Sequence, residues 1–547
     1  MATDNIQPLV VPPSSQGLKK IMPYWYPYTT MAKGRWLGRE ILEMVSTEFR
    51  DRSMEYYRYA LESGVTTING KVARPDTIIC NGDRIENVVH RHEPPVTLTP
   101  VKVLLHDKER EFLVINKPGS IPVHASGRYF RNSLVEILKN DFGYEKVYTI
   151  NRLDRLTSGL MIIPLSAERA TSISKEFMKG TVRKEYIARC KGEFPVEEVV
   201  CEAPLLTVDR QMGLNIVHPD GKPAKTIFTR LHYDANTDTS VLHCQPFTGR
   251  SHQLRVHLQY LGHPIANDPV YSETKIWGSN VGKGGIDIVP SDERSAPEAP
   301  SHLQFQPETN PDRFPTVESS PDSNAAITQS TETKLLPRET GHDIGMGSPV
   351  PLSSEAVGVI TRLRNMKDED EDWGRWRDVV FRAKGALIPH GIKFQAPPPQ
   401  NRRKRGGPAF SNDPLEAETG VLGDADGMLA RDATTDNSEG GPVPEPDSPV
   451  QLTTSEALSK VASMSAAIDA GRPTESTTNT DMTTQPASTT STKGMTYCPE
   501  CYLPLHPDPK PERLYIFLHA LRYTTSLGCF ETEMPEWAAE GWEWDRS

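Results

Sequence analysis

The sequence predicts an α+β protein: a mixed, mainly antiparallel sheet with helices packed on it, a smaller α+β domain ahead of it, and a long disordered insertion within it. Three observations carry that prediction. Between Pro100 and Leu261, apolar runs of strand length alternate with helical stripes, and the links have an antiparallel look. Between Arg35 and Ile85, two helical stripes are followed by two turn-then-strand signals. From Lys275 to Lys493 the chain turns to Ser, Thr, Pro, Asp and Glu, a composition that buries too little apolar surface to offset chain entropy. The expected boundaries are an extended arm over 1–34, a small domain over 35–96, the first part of the main domain over 97–274, the insertion over 275–496, and a closing segment over 497–540.

The arm is rich in Pro and Tyr. Leu37, Ile41, Leu42 and Val45 then share one helical stripe, and a second helix is expected from Met54 to Ser63. Gly64 to Gly70 reads as a short strand closed by an Asn69-Gly70 turn, and Asn81-Gly82-Asp83 opens another strand. In the main domain, Phe112 to Asn116 is an apolar strand turned by Lys117-Pro118-Gly119. Asn132 to Lys139 has helical spacing, Val147 to Ile150 is strand-like, and Leu160 to Ile163 is a buried strand. Ala167 to Met178 is a helix stopped by Gly180, with a strand from Arg183 to Cys190 beyond it. Leu254, Leu258 and Leu261 recur at helical spacing before Gly262, so Arg255 falls one residue off the apolar stripe, along its rim. Inside the insertion, Asp368 to Phe394 has the apolar content for a short helix around Trp373 and Trp376, and Arg402 to Arg405 reads more readily as a solvated linker charge run than as a contact with RNA or a nuclear import factor. After it, Leu514 to Leu521 is a closing strand.

The formal charge of −11 conceals an asymmetry. Residues 1–275 hold 36 Lys and Arg against 31 Asp and Glu, a net of +5, and the remainder carries −16. A mildly basic body with an acidic appendage is compatible with an RNA partner if the basic groups cluster. Seven cysteines at irregular spacing, with no signal-peptide pattern, argue against a secreted disulfide framework. No apolar run approaches the ~18 residues a membrane span needs. The first thirty residues lack an Arg-rich amphipathic pattern, so a cytoplasmic or nuclear location is expected and a mitochondrial presequence is not.

Chemistry gathers at Asn151 to Leu160, NRLDRLTSGL, where Asp154 stands between Arg152 and Arg155. An acid flanked by arginines and followed by Thr157, Ser158, Gly159 and an apolar run is a polar loop feeding a buried strand. Alone, such a loop more often holds an ordinary surface ion pair. Its company changes the balance. LVINKPGSIPVH (Leu113 to His124) lies upstream, and KEYIARCKG (Lys184 to Gly192) and PFTGRSHQLRVHLQYLGHPIANDPVYS (Pro246 to Ser272) lie downstream. In this order and at these spacings the motifs resemble those of the RluA-type pseudouridine synthases, over about half the chain. GREILEMVSTEFRDR, HRHEPPVT and the NRLDRLTSG loop are further similar to a eukaryotic subgroup that acts on tRNA, at the uridine in position 32 of the anticodon stem–loop.

The resemblance implies an RNA pseudouridine synthase, with residues 35–96 as its RNA-binding domain and tRNA as its partner. A monomer is expected, with no membrane from the apolar runs and no metal or small-molecule cofactor from the reaction chemistry. The resemblance assigns Asp154, Tyr186 and Arg255 to catalysis. Asp154 is the nucleophile or elimination group, Arg255 keeps it ionised, and Tyr186 packs on the target base and assists late proton removal. Arg152 fills the stack left by the flipped base; Arg155 braces the loop or joins Arg250, His252 and Gln253, which contact RNA or brace it. The chemistry agrees. Turning uridine into pseudouridine breaks an N-glycosidic bond, rotates the base and joins the sugar to carbon 5, with no redox change. It needs one carboxylate held ionised despite burial, which requires a cation beside it, and a guanidinium stacks well on bases. One departure stands out: many family members have His where this chain has Asn151.

Competing readings are weaker. Cys498, Cys501 and His506 supply three candidate zinc ligands where a structural site takes about four. A zinc deaminase would need Pro where Tyr497 stands, and a preceding HxE partner. The alternatives left are a synthase acting on rRNA or mRNA, or a catalytically silent RNA-binding protein of the same fold.

Overall fold

A computed structural model describes residues 17–49, 54–294, 336–370 and 508–544. It resolves two compact units, one built on Trp25–Val89 and the other on the segments His90–Arg377 and Pro486–Ser547 together with the N-terminal residues up to Tyr24. The architecture is α+β, and among the described residues the ladders of its largest sheet are antiparallel save one.

From residue 18 on, the expected extended arm is paired strand. Strand β1 (Leu18–Lys19) pairs with the later residues Val96–Thr97, and β2 (Tyr24–Met31) joins a four-stranded sheet with β3 (Thr66–Ile68), β4 (Lys71–Val72) and β5 (Arg84–Arg91), in the order β2-β5-β3-β4. The Pro- and Tyr-rich composition hid a strand, because Tyr, Trp and Thr also fit a half-buried pleat. In the smaller unit, helices α1 (Ile41–Glu48) and α2 (Met54–Glu62) precede a β3–β4 hairpin turned at Asn69 (φ 54°) and Gly70 (φ 77°), the left-handed pair that a two-residue turn demands. Ile41, Leu42, Met44 and Val45 are buried; Leu37, expected on the same stripe, precedes the helix and is exposed.

In the larger unit, β6 (Val96–Thr97) is followed by β7 (Lys102–Asp107), β8 (Phe112–Lys117), helix α3 (Leu134–Asn140), β9 (Ser158–Pro164), α4 (Ala167–Lys179) and β10 (Arg183–Lys191). Then come β11 (Val199–Cys201), β12 (Leu205–Asp209), β13 (Leu214–Val217), β14 (Thr226–Asp234), β15 (Thr239–Pro246), α5 (Gln253–Tyr260) and α6 (Thr274–Trp277). Past the insertion lie β16 (Leu518–Thr525) and β17 (Gly528–Glu531). The main sheet runs β11-β14-β15-β10-β16-β9-β8-β7, with β17 on β16. β8 and β9 are buried on both faces, which is why Phe112 to Ile115 and Leu160 to Ile163 read as unbroken apolar runs. Val147 to Ile150 is not a strand: Tyr148 donates one backbone bond to Pro164 and finds no ladder. Helix α4 is capped by Ser166, whose hydroxyl accepts from Arg169 N–H, and stopped by left-handed Gly180 (φ 70°).

The closing strand begins at Leu518 and lies mid-sheet, antiparallel to β10 and parallel to β9. Gly159 makes that parallel contact. Its φ is 118°, and a Cβ there would run into the backbone of Ala520, its ladder partner. The C-terminal residues are held by the fully buried Arg189, which donates to the carbonyls of Trp537 and Ala539 and to Asp234.

Part of the span expected to lack structure is ordered. Residues 275–294 and 336–370 include α7 (Pro337–Thr340) and α8 (Ser354–Asp370). Ala356, Val357, Val359, Ile360 and Leu363 bury against Leu206, Val208, Ile216, Val256, Tyr271 and Trp277. The side chain of Arg364 bridges Asp209 at 2.9 Å and Asp343 at 3.3 Å. Averaging composition over residues 275–496 concealed one short amphipathic stripe. The expected Trp373 and Trp376 helix, the Arg402 to Arg405 run, and Cys498, Cys501 and His506 lie outside the described residues. Among the described residues, no group of three His, Cys, Asp or Glu side chains is placed to hold a metal.

Candidate active site

Asp154 sits in the loop that enters β9. The turn is closed by Thr157 N–H donating to the Asp154 carbonyl. The loop is clamped by Ile516 N–H on the Leu156 carbonyl and by the ammonium of Lys117, which donates to the carbonyls of Pro118 and Ile121 and, at 3.4 Å, to that of Arg155. Lys117 is fully buried, and burial pulls it down to about 7.

Helix α5 supplies the cation. Arg255 is not on the rim of the packed face, as its offset from the leucine stripe suggests, but buried at 5% exposure. Burying a guanidinium requires paired acceptors. Asp268 provides them, taking Nε at 2.6 Å and Nη2 at 2.9 Å, and the remaining Nη1 donates to Asp154 Oδ2 at 3.1 Å. Asp268 also accepts from Val270 and Tyr271 N–H. The Asp154 side chain keeps 22% of its surface open.

His252 comes next in proximity. It holds the left-handed position before α5 (φ 55°), its Nε2 lies 3.6 Å from Asp154 Oδ2, and its Nδ1 lies 2.9 Å from the Tyr271 hydroxyl. Burial alone would raise the Asp154 carboxyl; the His252 ring and the guanidinia of Arg255 and Arg152 outweigh it and hold the group at about 2. Burial pushes the His252 ring down to about 4, so at neutral pH it is uncharged and Arg255 carries the lasting charge beside the carboxylate.

Tyr186, on β10, sets its hydroxyl 2.8 Å from that of Tyr523 on β16, and Asn151 Nδ2 lies 3.5 Å from Tyr523. Burial first, then Tyr523 and the nearby Asp154 charge, push the Tyr186 phenol well above its usual range. It stays protonated.

The remaining expected residues divide. Arg152 is exposed and reaches toward Asp154 and His252 only through charge. Arg155 lays its guanidinium 5.5 Å over the Tyr129 ring. Arg250 is exposed and donates Nε to the Pro223 carbonyl. Gln253 is 4% exposed: Nε2 donates to Lys225 O and Thr226 Oγ1, and Oε1 accepts from the Thr248 hydroxyl and from Arg250 N–H. Of the two expected uses for Gln253, the geometry is that of a loop brace, since its polar atoms are spent on protein. Asp268, Lys117, Tyr271 and Tyr523 were not singled out from the sequence. Asp268 and Tyr271 lie inside the quoted PFTGR…DPVYS motif, whereas nothing local to Tyr523 pairs it with Tyr186 before the sheet order is known.

A family profile described as RNA pseudouridylate synthase matches residues 111–260. The tRNA pseudouridine(31) synthase of Saccharomyces cerevisiae is 32% identical over 298 residues, 47% of this chain and 73% of that protein. The chain belongs to the RNA pseudouridylate synthase family. Another relative, "tRNA pseudouridine(32) synthase, mitochondrial" of Saccharomyces cerevisiae, is 48% identical over 279 residues, 50% of this chain and 59% of that protein. The pseudouridylate synthase RPUSD2 of Homo sapiens is 43% identical over 270 residues, 49% of each chain. The match thus spans roughly half of the length of these two family members. The expectation of a cytoplasmic or nuclear location is corrected by the yeast relative, which is named mitochondrial. An address is read by a receptor from a short segment, and the missing Arg-rich pattern was too slight a sign against one.

Proposed function

We propose that this protein isomerises uridine to pseudouridine in tRNA, at position 32 of the anticodon stem–loop, with Asp154 as the catalytic carboxylate. The observation that carries the reading is the Asp154–Arg255 pair: a partly open carboxylate held ionised by a buried arginine that Asp268 keeps in place. A carboxylate in that state can attack the ribose anomeric carbon or promote elimination across the sugar as the glycosidic bond breaks. The freed uracil rotates and bonds through carbon 5 as the Asp154–ribose ester breaks, or as the proton taken in the elimination returns to the sugar; carbon 5 then loses its proton and nitrogen 1 gains one. Atoms balance without a cofactor. Arg152, exposed at the mouth of the loop, stacks where the uridine leaves the RNA. Tyr186, held protonated, packs on the base and is a poor resting acceptor for the carbon 5 proton. Arg250 and Arg155 contribute to RNA contact and His252 to the carboxylate. The tRNA and the position rest on the printed name of the yeast relative that is 48% identical.

The test is pseudouridine mapping of an anticodon stem–loop incubated with the wild-type protein and with Asp154→Ala. Conversion at position 32 by the wild type and none by the variant is expected. Conversion by Asp154→Ala overturns the catalytic assignment; wild-type conversion at position 31, or only in rRNA, overturns the substrate.

A further inference from the structure

The side-chain amide of Asn151 ends in a buried oxygen, Oδ1, that accepts no hydrogen bond. Buried polar atoms without partners are rare, and each calls for a physical reason. The other end of the same amide is anchored, with Nδ2 donating to the Tyr523 hydroxyl at 3.5 Å. Tyr523 in turn meets Tyr186 at 2.8 Å, and the Tyr186 phenol feels the charge of Asp154. The orphan oxygen therefore belongs to the cluster that surrounds the carboxylate, three residues from it in the same loop. Thr157 Oγ1 is a second buried atom of the loop without a partner, but no hydrogen bond links it to Tyr186.

We propose that Asn151 reads the flipped base: Oδ1 accepts the N3–H of uracil, and the second N–H of Nδ2 donates to the adjacent carbonyl oxygen. An amide presents an acceptor and a donor side by side, which matches the imide edge of uracil. One N–H of Nδ2 serves Tyr523 and the other remains for the base, so the anchor and the contact coexist. Cytosine presents the opposite pattern, with a lone pair at N3 and an amino group beside it. It would set its N3 lone pair against Oδ1 and its amino group against Nδ2. Turning the amide over to suit cytosine would point its oxygen at Tyr523, and keeping that anchor would require the Tyr523 O–H to turn and donate to it. Asn151 is a specificity-determining residue, and Tyr523 positions it.

This inference rests on the synthase reading. Its test is the ratio of two constants for each protein: the half-saturating concentration of a uridine stem–loop in single-turnover conversion, and the inhibition constant of the same stem–loop with cytidine at the target. A fold-stability effect touches both constants alike and cancels in the ratio. For Asn151→Ala the preference for uridine over cytidine should shrink by about tenfold or more, the worth of one good two-point contact. Tyr523→Phe, which keeps Asn151 but removes its anchor, should shrink it by less. An unchanged ratio in Asn151→Ala, with conversion still measurable, overturns this inference alone. If Asn151→Ala does not fold, the Tyr523→Phe ratio decides, and its identity with wild type has the same force. Absence of conversion by the wild type overturns the synthase reading and this inference with it.

Discussion

Arg255 spends two of its N–H groups on the carboxylate of Asp268 and so has one direction left in which to reach Asp154. The fork is a geometric constraint as well as a charge pair, because a bidentate guanidinium cannot swing without breaking both bonds. Asp268→Asn preserves shape and still accepts from Val270 and Tyr271 N–H, but it sets an amide N–H against Arg255 Nε. The variant should lose about 3–5 kcal/mol of stability, the usual cost of breaking a buried pair. Its single-turnover rate should fall by about 10²-fold, since a displacement of about 1 Å is enough for that. Urea denaturation and single-turnover conversion check the two halves; a variant as stable and as fast as wild type refutes the constraint.

Acid should weaken the fold in two stages. The His252 ring is neutral in the folded state down to about 4, whereas an unfolded histidine takes its proton near 6.5. Between those values the unfolded chain binds more protons, so stability falls as pH drops through that window. Asp154 acts lower: its folded value of about 2 lies beneath the ordinary 3.8, so its contribution is whole above 3.8 and is lost as pH falls toward 2. Thermal midpoints of wild type and His252→Gln between pH 7 and 4 test the first stage. The curves should converge toward acid, and parallel curves would show that His252 is not a buried neutral ring.

Arg364 on α8 joins two buried carboxylates, Asp209 of β12 and Asp343. Replacing it by Met leaves both without their cation in the cluster that also buries Val256 of α5 and Tyr271. A loss of about 3–5 kcal/mol is expected, as for any buried pair that loses one partner. Combining Arg364→Met with Asp209→Asn and Asp343→Asn should restore part of it. If Arg364→Met alone unfolds at the wild-type urea concentration, the Arg364 bridge contributes nothing to the stability of the core.

Much of this site could be read from residues in order. Asp154, Arg255 and Tyr186 stood in motifs, and Leu160 to Ile163 and Leu254 to Leu258 gave the strand and helix that carry them. What the sequence could not show were pairings across the sheet. Tyr523 lies hundreds of residues from Tyr186 and becomes its neighbour only because β16 inserts between β10 and β9. The strands from β11 to β15 went unnamed because their polar residues interrupt the alternation that marks a strand. Helix α8 was lost for a related reason: five buried aliphatic residues vanish in an average over residues 275–496.

Arg152 was expected to meet RNA and Gln253 either to meet it or to brace the loop, and their surroundings differ. Arg152 is exposed, and no hydrogen bond or ion pair ties it among the described residues, whereas Gln253 is buried with both ends of its amide bonded to protein. Arg152→Ala should therefore leave the urea midpoint unchanged, weaken binding to a stem–loop, and lower the slope of log affinity against log salt by about one unit if it meets a phosphate, or by less if it stacks. Gln253→Ala should do the reverse at first order. It removes the acceptor of the Thr248 hydroxyl and the Arg250 N–H, costing about 1–3 kcal/mol, and changes RNA affinity only through the Arg250 loop that it supports. Filter binding at three salt concentrations, with denaturation run in parallel, distinguishes them. Equal losses of stability in the two variants would mean that Arg152 is a brace as well, and that the stack left by the uridine is filled by another side chain.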